Sequence, residues 1–353
     1  MKEQVYAPDS LNEQASLLVD AQTDIKTAIK QSVLSGESAE AAKARINKII
    51  DRAVARIRSP TLKQDGKVSL MKFANVAYTQ FKQNLRGISP LKIAAVIVLM
   101  QAITAKQLSG ETYQPATVTE RRAATALSYT ARNKGIPLQE FQKVYIQRVD
   151  NALQTLAQSR AMDPNDFSGR NSLRNLAEMQ VRYERHQSEI AEFKGRGTKL
   201  VVCSVHADCS KRCSRWQGRV YSLDGSRGMT DDGREIIPLE VATDVYYTTK
   251  AGRTYKNGLL GFNCRHKLFE YKPKMAIPTV SAEQRKREYA ITLKQREMER
   301  DVIEARENAL IYKDANMDKY REWKKLAIER YKQYKQFSAA NNRTYYPDRV
   351  KIL

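Results

Sequence analysis

The chain has 353 residues, 42% of them hydrophobic, and carries a formal net charge of +22 from 61 Lys/Arg against 39 Asp/Glu. Its length allows two or three domains with buried cores, and its ordinary apolar content means that most of it should fold. The positive balance favours polyanionic partners, nucleic acid first among them, and says nothing about fold.

The charge is unevenly spread. Residues 1–60 hold 9 Lys/Arg against 8 Asp/Glu, residues 61–271 hold 32 against 19, and residues 272–353 hold 20 against 12. The opening "MKEQVYAPDSLNEQ" has no apolar run behind a basic start, so no secretory signal is expected. Production in a cytoplasm follows, where cysteines serve as thiols or metal ligands more often than as a disulfide framework.

The first half reads as helices. In "DSLNEQASLLVDAQTDIKTAIKQSVLSG", Ser10 and Glu13 stand at capping-box spacing and Gly36 marks a stop. "ESAEAAKARINKIIDRAVARIRSP" gives a second helix ending at Pro60, and a third covers about Val68 to Leu85. The run "IAAVIVLMQAI" from Ile93 to Ile103 is about half of the roughly 20 residues a membrane span requires, and Gln101 interrupts it. It is read as a buried core helix, and no membrane anchor is expected. Two more helices, "TVTERRAATALSYTARNKG" and "PLQEFQKVYIQRVDNALQTLAQSRA", precede a turn cluster at Asp163–Gly169. "NSLRNLAEMQVRYERHQSEIAEFKGRG" is a further helix ending at Gly195 and Gly197, with His186 expected on its exposed, charged side.

The pattern then changes. "TKLVVCSV" is β-branched and apolar, a short buried strand. From there to about Ile277, "GRVYSL", "EIIPLEVATDVYYTT" and "RTYKNG" suggest short strands and loops. After Pro278 come two long charged helices with a thin apolar stripe, suited to lying over other elements or meeting a partner. The fold class is mainly α with a small α+β module. Three regions are expected: helical 1–165, a Cys/His-containing mixed module at 166–277, and C-terminal charged helices at 278–353.

All four cysteines and two of the three histidines lie between Cys203 and His266. Zinc takes about four N or S ligands in a tetrahedron, and Cys203, His206, Cys209, Cys213, Cys264 and His266 are the candidates. The spacings match no common finger or ribbon, because three residues separate Cys209 from Cys213 and one separates Cys264 from His266. On a strand, Cys264 and His266 would face the same way. The alternatives are buried free thiols and a structural histidine. A Cys–His nucleophile is also conceivable, since Arg212, Arg215 and Arg265 would favour a thiolate. No phosphate loop, HExxH helix or GxSxG elbow accompanies it, so the chain is not expected to be an enzyme. The competing reading is a nucleic-acid-processing or transferase enzyme using this module.

Four blocks, "SGRNSLRNLAEMQVRYERH", "HADCSKRCSRWQGRVYSL", "GLLGFNCRH" and the C-terminal "YAITLKQREMERDVIEAR … MDKYREWKKLAIERYKQYKQFSAANNRTYYPDR", together resemble the phage minor capsid protein 2 family. That family is distantly similar to Mu-type head morphogenesis proteins. The resemblance runs from about residue 138 to the C-terminus, and the WQG and NCRH blocks are its specific part. Trp216, Gln217 and Gly218 match the first block, and Asn263, Cys264, Arg265 and His266 the second. His206 takes the family's first histidine position, whereas Cys213 stands where a second histidine is usual. A His-to-Cys exchange keeps a zinc ligand and spoils a general base. The quartet this implies is His206, Cys213, Cys264 and His266, with Cys209 in reserve and Cys203 left to the core.

The resemblance implies a virion component inside the capsid near the portal vertex. Its N-terminal helices would touch portal or major capsid protein, and its surface would meet packaged double-stranded DNA. Such contact would be non-specific and through phosphate, with Lys211, Arg212, Arg215 and Arg219 as candidates. Trp216 reads as a core anchor rather than a base-stacking platform.

Overall fold

A computed structural model describes residues 10–90, 92–98, 131–159, 173–248, 254–256, 258–261 and 264–352, with 100, 122, 125 and 128 as single positions. The turn cluster Asp163–Gly169, Asn263, the end of the apolar run and most of the segment from Thr117 to Thr130 lie outside the described residues.

The fold class is the expected one, mainly helical with a small mixed sheet. Helices α1 (Ser10–Ser35), α2 (Ala39–Ala55), α3 (Pro60–Asn84), α4 (Leu138–Gln158) and α5 (Leu173–Gly195) come first. Strands β1 (Leu200–Cys203), β2 (Val220–Ser222), β3 (Gly228–Met229), β4 (Glu235–Pro238), β5 (Tyr246–Thr248), β6 (Thr254–Lys256) and β7 (Leu268–Glu270) follow. The short helices α6 (Lys211–Ser214) and α7 (Leu239–Thr243) interrupt them, and α8 (Ala282–Tyr312), α9 (Met317–Ala340) and α10 (Pro347–Val350) complete the chain. No helix among the described residues is long and apolar enough to cross a membrane.

Two boundaries differ from the sequence reading. Pro60, a terminator by its sequence context, is instead the first residue of α3. Ser59 Oγ accepts the Leu62 amide at 3.1 Å, and proline suits a first helical position because no intrahelical partner is needed there. "EIIPLEVATDVYYTT", which reads as strand and loop, contains α7 between β4 and β5.

The described chain gathers into two compact units, each built from separated segments. One takes Met1–Ala15, Arg58–Leu62 and Asn175–Glu297, the other Ser16–Ile57, Lys63–Arg174 and Met298–Leu353. The first unit holds the five-stranded sheet, in the order β3-β4-β2-β1-β7. All its pairings are antiparallel except β2 with β4. The interior strand β1 buries Val201, Val202 and Cys203 in succession, as a strand covered on both faces must. β1 ends where β7 begins, with Cys203 paired to Leu268, and the Ser204 amide extends the ladder to the Lys267 carbonyl at 2.9 Å. The loops on either side of that junction carry the Cys/His residues. The β5–β6 hairpin forms a separate two-stranded sheet.

The second unit is helical. α2 starts at Ser38, whose hydroxyl accepts the Ala41 amide at 3.2 Å, and it buries Ala42, Ile46, Ile50 and Val54 at four-residue intervals. Buried lysines of α1 serve helix ends. Lys26 Nζ donates to the Ala157 carbonyl at 3.1 Å and pairs with Glu307 at 3.3 Å. Lys30 Nζ donates to the carbonyls of Ile311 and Lys313 at 3.3 and 2.9 Å. The last carbonyls of α4 and α8 lack intrahelical donors, and the ammonium groups supply both the hydrogen bond and the charge the helix dipole favours. Burial lowers the Lys30 ammonium from its ordinary value.

The C-terminal tail is fixed by a second buried set. Arg349 Nε pairs with Glu299 at 3.0 Å, both side chains being almost fully buried. Tyr334 donates its hydroxyl to the other Glu299 oxygen at 3.0 Å and accepts the Tyr346 amide at 2.9 Å. Val302, Tyr334 and Val350 pack beneath them. Glu299→Ala leaves a buried guanidinium without its carboxylate and is expected to cost about 3–5 kcal/mol in urea unfolding, whereas the double change Glu299→Met with Arg349→Met should cost clearly less.

Candidate metal centre

The site is made by residues 204–218 between β1 and β2 and by residues 258–261 and 264–267 ahead of β7. Each loop has a glycine that its path requires. Gly218 sits at φ +70, and a Cβ there would come within 3.1 Å of Val205 and 3.2 Å of Ile277, while its amide donates to the Cys203 carbonyl at 3.1 Å. Gly258 packs so closely on α7 that a Cβ would stand 2.3 Å from the Ala242 carbonyl oxygen. The motif glycine of WQG is therefore a backbone requirement rather than a chemical one.

Within these loops Cys213, Cys264 and His266 bring their ligand atoms within 4.8 Å of one another, all buried. The Cys213 and Cys264 sulfurs are 4.0 Å apart, and Cys264 Sγ lies 3.4 Å from His266 Nδ1. Cys264 and His266 are not on a strand, as the sequence suggested, but in the extended segment just before β7. Cys213 comes from α6. Cys209, also buried, packs in the same core cluster as Cys213 and Cys264 but is not one of the three residues whose ligand atoms gather within 4.8 Å. Hydrogen bonding among the sulfurs pulls Cys213 below the usual thiol range and pushes Cys209 and Cys264 up. Cys203 is core, 1% exposed in β1, and burial raises its thiol.

His206 stands beside this group rather than within it. Its ring meets that of His266 edge-on at 4.8 Å between centroids, and its Nε2 lies 2.8 Å from Ser204 Oγ. Ser204 Oγ also accepts the Lys267 amide at 3.0 Å. Burial, followed by the neighbouring His266 and Arg265, brings the His206 imidazole down to about 4. Gln217 ties the two histidines together: its Oε1 accepts the His206 amide at 3.1 Å and lies 3.2 Å from His266 Nε2. The WQG motif singles out Gln217, but nothing in the motif reveals its contact with the imidazole.

The remaining motif residues are structural. Arg265 pairs with Asp208 at 2.7 Å, and Thr292 of α8 donates to the same carboxylate at 2.8 Å. Trp216 packs partly buried against the core of this unit, with the Arg215 guanidinium 4.5 Å above its ring and its carbonyl accepting the Tyr221 hydroxyl at 2.6 Å. Arg219 pairs with Glu235 at 3.4 Å on the surface, and Lys211 is exposed while Arg212 is half-buried. His186, expected in solvent, is buried at 3% exposure. One face of α5 covers the site, and His186 Nδ1 donates to the Leu260 carbonyl at 3.4 Å, presented by a residue at φ 57. Burial brings its imidazole down to about 4.

The segment from α5 to α9 that contains all of these features matches one family model, Phage minor capsid protein 2, over residues 179–337. Over those residues the chain is similar to the phage minor capsid protein 2 family. No curated protein and no solved structure matches the chain. The part in common with the minor capsid family thus takes in the five-stranded sheet, both loops of the Cys/His cluster, and α8.

Two measurements probe this family segment. Gly218→Ala forces a side chain into the left-handed region against Val205 and Ile277, and urea unfolding should show a loss of about 1–3 kcal/mol. The buried histidines make stability pH-dependent. Unfolded histidine takes a proton near pH 6.5, whereas folded His186 and His206 do so only near pH 4. Between these values the unfolded state binds more protons, so stability is complete above about pH 6.5 and falls as pH drops towards 4. His186→Gln keeps a donor for Leu260 and should flatten part of that slope.

Proposed function

We propose that the chain is an internal structural component of a phage head, lying near the portal vertex. There its helical parts associate with portal or major capsid protein, and its basic surface contacts packaged double-stranded DNA without sequence preference. The single observation that carries this reading is the family match over residues 179–337. The net charge of +22 supports the DNA part independently, since a cationic surface inside a DNA-filled shell gains affinity by releasing counterions from phosphate. Lys211 and Arg219, exposed beside the site loops, are among the residues that would meet phosphate.

The Cys213–Cys264–His266 group serves the fold and not a reaction in this reading. It clips the two loops at the end of the sheet together by binding a zinc ion, the cation that buried Cys and His side chains favour. The three regions 1–165, 166–277 and 278–353 would then divide the work into portal or capsid contact, clip and partner-facing helices.

Purified virions analysed by mass spectrometry should contain the chain at low copy number, and its absence would remove the proposal. Purified protein should bind unrelated duplexes equally, with affinity falling steeply as salt rises. Replacing Lys211 and Arg219 by glutamine should lower the slope of log affinity against log salt by about 1 for each phosphate no longer neutralised. Sequence-selective or salt-insensitive binding would contradict the DNA part alone.

A further inference from the structure

The geometry points to a closed cation site of three thiolates and one imidazole, Cys209, Cys213, Cys264 and His266, with His206 outside the ligand set. This rests on the reading of the cluster as a metal clip and goes further by fixing which four atoms hold the ion and which histidine does not.

The distances carry most of the argument. Ligands about 2.3 Å from zinc through sulfur and about 2.0 Å through nitrogen, set at tetrahedral angles, stand about 3.8 Å apart for two sulfurs and about 3.5 Å for sulfur and nitrogen. The observed separations are 4.0 Å for Cys213 and Cys264 and 3.4 Å for Cys264 and His266. Three corners of a tetrahedron are therefore already in place. The fourth needs a soft, buried donor beside Cys213, and Cys209 is that donor. Cys209 lies two residues before the first residue of α6 and Cys213 within that helix, and both are buried in one core cluster with Cys264. Cys209 Sγ has only to turn from the Ser210 carbonyl, to which it donates at 3.3 Å.

Hydrogen bonds assign the two histidines opposite roles. His266 Nε2 faces the Gln217 carbonyl oxygen at 3.2 Å, an atom that can only accept. The ring proton therefore sits on Nε2, and Nδ1, beside the thiols, keeps its lone pair for a cation. An outer carbonyl that holds a ligand imidazole in one tautomer is the usual support of a zinc site. His206 has its Nε2 at 2.8 Å from Ser204 Oγ and is not one of the three residues whose ligand atoms gather within 4.8 Å. A dication with three thiolates has one net negative charge, and Arg212 and Arg285 are close enough to the thiols to act on them electrostatically. Four protein donors leave no open position for water or substrate, so the site is structural.

The test uses the full chain. Purified protein is assayed for zinc by elemental analysis, and X-ray absorption at the zinc edge counts sulfur and nitrogen neighbours. One zinc per chain with a three-to-one ratio is the expected result, and two-to-two overturns the assignment while leaving a metal clip intact. Cobalt loading gives a second reading. Cys209→Ser should remove roughly a third of the thiolate-to-cobalt charge-transfer intensity and weaken binding at least about tenfold, whereas His206→Ala should leave the band unchanged. A full band in Cys209→Ser together with a diminished one in His206→Ala overturns the proposal. Absence of any metal defeats the clip reading as a whole and leaves the head-protein reading standing. If Cys209→Ser does not fold, the neighbour count on the unaltered chain still decides.

Discussion

The pairing of β1 with β7 is the constraint on which the site depends. Cys203 faces Leu268 across the ladder, and the Ser204–Lys267 hydrogen bond carries the register one step past the strands. A ladder extended in this way fixes where both chains leave the sheet, so the loop after β1 and the segment before β7 emerge side by side. Everything at the centre then follows from short reach. Ser204 Oγ accepts the Lys267 amide and meets His206, and Gln217 spans from the His206 amide to the His266 ring. Arg265 reaches back to Asp208. A slip of one residue in the β1–β7 register would move these side chains to the other face and break all of these contacts together.

The same economy governs the polar groups buried in the helical unit. Burying an ammonium or a guanidinium is costly unless each is paired and hydrogen-bonded. Lys26 and Lys30 meet this condition at helix C-termini, where carbonyls have no partners of their own. Arg349 meets it through Glu299, which Tyr334 also holds. Such sets specify one arrangement, because any other leaves a charge in the core without its counterpart.

Much of the fold is legible in the sequence because its signals are local. The four-residue spacing of Ala42, Ile46, Ile50 and Val54 marks a helix by itself, and the β-branched run at Val201 and Val202 marks a buried strand. Pro60 misleads because a proline that ends one helix looks the same as one that begins the next, and only the Ser59 cap distinguishes them. His186 misleads because its neighbours Arg185 and Glu189 are charged. Those side chains pair with each other at the helix surface, while the imidazole turns inward to the Leu260 carbonyl.

The sequence by itself determined the chemistry available: four thiols and two imidazoles within one stretch, a basic surface, and the WQG and NCRH blocks that mark the family. Those are properties of residue type and spacing, and they survive any arrangement of the chain. Only the tertiary structure decided which of these groups meet. Cys213, Cys264 and His266 converge, Cys209 stands beside them, Cys203 turns into the core, and His206 is taken by Ser204. The reason is that ligand geometry is a matter of a few ångströms between residues far apart in the chain. That distance is set by strand register and loop path, which depend on hydrogen bonds between segments that no local pattern records.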